Sequence, residues 1–171
     1  MLKTYKKGQL FSTDLFISAS IFLVLIISII AVLTLYSVRF DETIKNEDIV
    51  LRALQITDIL LKSEGEPYDW ENNPGDVNVF GLVTSDRMFS TSKVREFVKL
   101  NENDVRDKLN VENVNFYFSL KDPQGALYAV GSGEFSEAGS KPSLEAKNVV
   151  AIQRIGVYSG QDAFMEFILW E

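Results

Sequence analysis

Twenty-four carboxylates, with no histidine and no cysteine in 171 residues, set the chemistry open to this chain. Histidine bases, histidine metal ligands and thiol nucleophiles are excluded outright. Paired carboxylates can divide acid and base roles, but no spacing here singles out a pair. No glycine-rich phosphate loop or Gly-x-Ser-x-Gly elbow accompanies them. Asp69, Glu71, Asn72, Asn73 and Asp76 make one oxygen-rich run. Calcium takes about six to eight oxygens on a suitable loop, and this run lacks the alternating acid spacing of an EF-hand. It reads as a solvated acidic loop, and Asn103, Asp104 and Asp107 read as a helix start. The inventory points away from an enzyme and implies no metal and no cofactor.

One acid stands apart. Asp14 opens a stretch from Leu15 to Val38 that runs 24 residues without a charge. A helix rises about 1.5 Å per residue and about 20 apolar residues cross a hydrocarbon core, so this stretch is long enough to span a bilayer. Lys3, Lys6 and Lys7 precede it, whereas Arg39, Asp41, Glu42, Lys45, Glu47 and Asp48 follow as a mixed, mostly acidic set. The positive-inside rule places the N-terminus in the cytoplasm and residues beyond about Arg39 outside. A cleavable secretory signal has a shorter apolar core, about 7 to 15 residues, ending in a small-x-small site. Here the small cluster Ser18-Ala19-Ser20 lies near the start of the core, which argues against removal of the helix. An acid at the mouth of a span is costly unless paired or at the interface, which makes Asp14 a functional candidate. The plain alternative is that it caps the helix against the positive end of the dipole.

Beyond the span, Ile49, Ala53, Ile56 and Leu60 recur at steps of four, three and four, with Val50, Leu54 and Leu61 beside them. That is one face of an amphipathic helix. No Pro or Gly falls between Gln9 and Glu64, so a single long helix is expected, membrane-spanning in its first half and amphipathic in its second. Gly65, Pro67, Pro74 and Gly75 break it. Ser90, Thr91 and Ser92 offer an N-cap for a short helix through Leu100, and Asn103 for another with Val105 and Leu109 as apolar positions. The period then becomes alternating. Val114, Phe116, Phe118 and Leu120 fall on one side of a strand, Asp122-Pro123-Gln124-Gly125 forms a turn, and residues 126–131 return as a second strand. Residues 132–143, rich in Gly and Ser, read as an exposed loop. Residues 148–158 and 163–170 make a last hairpin around Ser159-Gly160-Gln161-Asp162. The expected fold is α+β, with a four-stranded antiparallel sheet packed on the outer half of the long helix and short helices in the connection. Without cysteine, the domain relies on packing, helped by 12 Phe, 6 Tyr and 2 Trp. Tyr68 and Trp70 are expected to cover an end of that core.

The junction Lys6-Lys7-Gly8-Gln9, followed by Ser12, Asp14 and a long apolar helix, resembles the class III signal peptides of archaeal type IV pilins and pilin-like proteins. The resemblance implies a leader at 1–8, an assembly helix at 9–40 and an extracytoplasmic head at 41–171. It implies a prepilin peptidase as partner, cutting between Gly8 and Gln9 and leaving the apolar helix on the mature subunit. It further implies that Asp14 pairs with the N-terminal amine of a neighbouring subunit. Ser12 and Asp14 would be fourth and sixth in the mature chain, one residue later than the family's third and fifth. That shift turns the acid by about 100°. A second run, Leu60 to Trp70 followed by Phe80-Gly81-Leu82-Val83 and Ser92-Lys93-Val94, looks like one seen in other archaeal pilin-like membrane proteins.

The resemblance implies a non-enzymatic pilin-like subunit, minor or accessory, of an archaeal surface filament, with other pilin-like subunits and the membrane as partners. Ser18, Ala19, Ser20 and Ser28 would permit close helix approach. Loss of the leader would take Lys3, Lys6 and Lys7 from the 17 basic side chains and leave 14 against 24 acidic ones. Such a surface repels nucleic-acid backbones. No Asn begins an Asn-x-Ser/Thr acceptor, so glycosylation through that motif is not predicted. The alternative function is an uncleaved, membrane-anchored extracellular binding or adhesion module.

Overall fold

The computed structural model describes residues 7–131 and 133–171, the backbone alone at 7–12 and 37–46. The chain divides into two compact units, Met1–Lys45 and Asn46–Glu171. Helix α1 (Lys7–Lys62) contributes to both. After it come 3-10 turns at Trp70–Asn72 and Pro74–Asp76, then β1 (Val83–Ser85), β2 (Met88–Phe89), α2 (Thr91–Lys99), α3 (Glu102–Lys108), β3 (Asn115–Lys121), β4 (Glu137–Gly139), β5 (Val150–Tyr158) and β6 (Gln161–Trp170).

In the second unit the stripe anticipated on the helix is buried: Ile49, Ala53, Ile56 and Leu60 join one core with Phe116, Phe118 and Leu120 of β3 and Ala163, Met165, Phe167 and Leu169 of β6. The strict alternation of β6 follows from the pleat, because every second side chain faces the helix. Aromatic rings extend this core outward. Trp70 meets Phe80 edge to face at 5.2 Å, Phe80 meets Phe97 at 5.3 Å, and Phe97 meets Phe118 at 5.2 Å. These contacts link the loop after α1 through α2 to the sheet, in a domain that has no disulfide.

The sheet itself departs from expectation. It has six strands in the order β1-β2-β5-β6-β3-β4, and it is mixed, because β2 runs parallel to β5. Three of these strands are only two or three residues long, too short for alternation to register in the sequence. Residues 126–131 do not form a strand. They contribute single bridges, Lys121 with Leu127 and Ala129 with Phe135, and the place beside β3 is taken by β4, from within the stretch read as an exposed loop. Ser136 and Ala138 there are buried, so Gly and Ser content misrepresented a segment held by backbone pairing. The last hairpin closes one step earlier than expected, at Tyr158 and Gln161. Ser159 and Gly160 have φ of 52° and 79°, the left-handed pair that a two-residue hairpin turn requires.

Helix starts follow side-chain capping. Ser90 Oγ accepts from the Lys93 amide at 3.4 Å, as expected. At α3 the cap is Asn101, whose Oδ1 accepts from the Asn103 amide at 2.9 Å, and not Asn103 itself. Moving the cap two residues back places Glu102 and Asp104 in the first turn, with Arg106 and Lys108 in the last, both favourable to the helix dipole.

Candidate functional site

The first unit offers one feature with functional content. Thr13–Tyr36 is a helix of 24 residues, long and apolar enough to cross a membrane. Its side chains are exposed apart from a half-buried Ile26. Its hydroxyls are satisfied within the helix: Ser18 donates to the Asp14 carbonyl at 2.8 Å, Ser20 to Phe16 at 2.7 Å and Ser28 to Val24 at 2.7 Å. A hydroxyl bonded to the carbonyl four residues back adds no unmet donor to a hydrocarbon environment. The small residues singled out from the sequence are therefore chemically quiet in lipid, a property that composition alone did not reveal.

Lys6 lies outside the described residues. Lys7, Gly8 and Gln9 form the first residues of α1, and Asp14 is exposed about two turns further on. No acid occupies the first turn of this helix. Dipole stabilisation fades within about one turn, and Asp14 lies past the first turn of α1.

In the second unit the residues of the Leu60–Val94 run converge. Lys93 is 3% exposed, and its ammonium donates to the carbonyl oxygens of Glu64 at 2.6 Å, Tyr68 at 2.7 Å and Val83 at 3.4 Å. An ammonium has three protons, and each finds an acceptor. The cage forms just beyond the C-terminus of α1, whose dipole favours a cation. Gly81 completes the clasp, because a Cβ there would lie 2.1 Å from the Ser63 carbonyl oxygen. The indole of Trp70 donates to the Gly81 carbonyl at 2.9 Å. With its donors engaged, Lys93 is a structural tie and not a nucleophile. Its signal in the sequence was a lone lysine beside Val94 and four residues before Phe97, on the buried side of a short amphipathic helix. Trp70 is fully buried as anticipated, but Tyr68 is 71% exposed; its carbonyl, not its ring, takes part.

The acidic run does not gather into a ligand set. Asn73 bonds the Asp76 carboxylate, and Glu71 accepts from Ser92 at 3.2 Å. Among the described residues no group of three or more acids is placed to hold a metal ion.

On the sheet's other face, the Tyr117 hydroxyl donates to Glu137 at 2.9 Å and Lys141 pairs with the same carboxylate at 3.0 Å. These bonds, that from Lys141 first, hold Glu137 below the usual glutamate range. Burial, then the Glu137 partner, pushes Tyr117 up. No known protein family, curated protein or solved structure matches this chain. The functional reading therefore stands on the helix, the clasp and the residues that precede them.

Proposed function

We propose that this protein is a non-enzymatic pilin-like subunit, minor or accessory, of an archaeal type IV pilus-like surface filament. The observation that carries the reading is the exposed apolar helix Thr13–Tyr36, whose side chains find no cover within its own unit. Such a surface stays out of water in lipid or against like helices, so membrane residence and filament assembly are alternatives for one face. The Lys6-Lys7-Gly8-Gln9 junction immediately before it supports processing by a prepilin peptidase between Gly8 and Gln9. Lys3, Lys6 and Lys7 on one side of the span support an inserted precursor with its N-terminus inside and its head outside. Released into a filament, the helices bundle and the α+β heads coat the outside.

Intact mass and N-terminal sequencing of the protein, from native membranes and from sheared surface material, test this. A mature chain beginning at Gln9 and present in the sheared fraction is the expected result. A chain that keeps Lys3 to Gly8 and is confined to membranes overturns it in favour of an anchored binding or adhesion module.

A further inference from the structure

We propose that the open edge of β5 is a self-pairing surface, on which β5 of a second copy lies antiparallel and joins the two sheets into one. The other long strands are covered on both sides. β6 lies between β5 and β3, and the far side of β3 is met by β4 and by backbone bonds that link Leu120 to Tyr128 and Ser136, and Phe116 to Ser140. β5 is met by β2 only at Val157 and Tyr158. There the Val157 amide donates to the Arg87 carbonyl at 2.7 Å, away from β6. Bonding direction alternates along such a strand. Ala151, Gln153 and Ile155 therefore aim their amides and carbonyls the same way, past the end of β2, and no described residue bonds to them there.

Sheet edges are ordinarily blunted by short strands, lysine or proline. β1 and β4, at the two ends of this sheet, have three residues each. The free stretch of β5, from Val150 to Gly156, is about 23 Å long and holds neither lysine nor proline. Its single charge, Arg154, is turned to Asp58 of α1 at 3.0 Å. Val149 and Ile155, on the outer face, are 49% and 59% exposed. Nothing in this stretch discourages another strand.

The bounds of the stretch name the occupant. β2 closes one end at Val157, and at the other Asn148, with φ of 50°, turns the chain aside. The midpoint of 150–156 is Gln153, one of the residues whose bonds face outward. A two-fold axis there sets Gln153 against Gln153 of the second copy and Ala151 against its Ile155, each pair exchanging two backbone bonds. Each strand then ends where the other copy's β2 begins. Small Ala151 meets large Ile155, and the central amides are uncharged. Asn148 to Gly160 contains no acid in a chain of net charge −7, and Glu166, across β6 from Gln153, is paired with Lys121. This edge is thus spared the like-charge repulsion that keeps acidic chains apart. The contact is isologous and closes at two copies. It requires neither cleavage at Gly8 nor entry into a filament.

The chain has no cysteine of its own, so introduced ones report alone, and positions 151, 153 and 155 are exposed. Full-length protein purified in detergent is oxidised mildly. Gln153→Cys should give a reductant-sensitive dimer, because facing residues lie about 5.5 Å apart between Cα atoms, within disulfide reach. Ala151→Cys alone and Ile155→Cys alone should not, since each lies about 13 Å from its own counterpart, but the double variant should. Adding Gln153→Lys to that double variant should cut the cross-link about fivefold, as like charges then face each other. Mixing it with the double variant carrying Gln153→Glu should restore the yield. No dimer from Gln153→Cys, or an equal one from either other single variant, overturns the proposal, as does capture of a different protein at position 153 in place of the dimer. The filament reading is decided by the start of the mature chain and its presence in sheared material, so either can fail alone.

Discussion

The indole nitrogen of Trp70 and the carbonyl oxygen of Gly81 lie 2.9 Å apart in the core, and that bond closes the chain leaving α1 onto the chain entering β1. The same crossing is fixed by the Leu82 amide, which donates to the Leu60 carbonyl at 3.0 Å. The Leu82 bond brings two backbones together, and only glycine at 81 leaves room beside Ser63 and Gly65.

Gly81→Ala is therefore expected to destabilise the head severely. Its Cβ would sit 2.1 Å from the Ser63 carbonyl oxygen and 2.3 Å from the Gly65 amide nitrogen. These atoms are backbone and cannot swing aside. Overpacking of this kind costs about 1–3 kcal/mol, and loss of the buried Trp70 bond adds about 1–3 kcal/mol. A shift of the urea midpoint of the full chain in detergent, followed by tryptophan fluorescence, measures it; a midpoint within error of wild type refutes the crossing.

Lys93→Met tests the clasp by shape without charge. The substitution removes the cost of holding a buried cation but leaves the carbonyls of Glu64, Tyr68 and Val83 without their donor. Breaking one side of a buried polar network outweighs the desolvation it relieves. A loss of about 2–4 kcal/mol in the same denaturation experiment is expected. Equal or greater stability would mean that the ammonium contributes nothing.

The elements legible in the sequence were those long enough to repeat their pattern. Ile49, Ala53, Ile56 and Leu60 declare a helix face over three turns, and β3, β5 and β6 run seven to ten residues. β1, β2 and β4 are specified by what they lie against and carry no periodicity of their own. The clasp was legible only in part. Its residues drew notice as a run, but Lys93 reaches partners up to 29 residues away, and no local pattern encodes a side chain whose acceptors are backbone carbonyls. The apolar helix Thr13–Tyr36 announced itself by length, whereas the internal hydroxyl bonds of Ser18, Ser20 and Ser28 needed the helix to be seen.

Stability should fall on both flanks of pH, for opposite reasons. Glu137 is depressed by Lys141 and Tyr117, and Asp58 by Lys62, with a lesser contribution from Arg154. For such acids the unfolded chain holds more protons in the window between the two pKa values. Their contribution is complete above the ordinary carboxylate values near 4 and is lost as pH falls through the lower folded values. Tyr117, Tyr128 and Tyr158 are raised, chiefly by burial. They contribute fully below the ordinary value of 10.0 and are lost as pH rises through the folded values. The carboxylates are partly exposed, at 38% for Glu137 and 45% for Asp58, so each contributes under about 1 kcal/mol. Denaturation midpoints measured across pH should give a plateau with an acid flank that Glu137→Gln makes shallower; an unchanged acid slope in that variant contradicts the assignment.

Asp14→Asn separates insertion from assembly. The side chain is exposed and lies about two turns past the start of α1, beyond the reach of the helix dipole. Removing its charge should leave the helix in the membrane and the denaturation midpoint of the head unchanged. On the filament reading, the carboxylate is needed when the helix leaves lipid and an unpaired amine of a neighbouring mature chain must be neutralised in a low-dielectric core. The variant should then be processed at Gly8 and retained in membranes, while its share of the sheared surface fraction drops about tenfold or more, as expected for loss of one partner of a buried charge pair. Quantifying the mature chain in both fractions decides the matter, because undiminished recovery from sheared material assigns assembly to the apolar face alone and leaves Asp14 without a part in it.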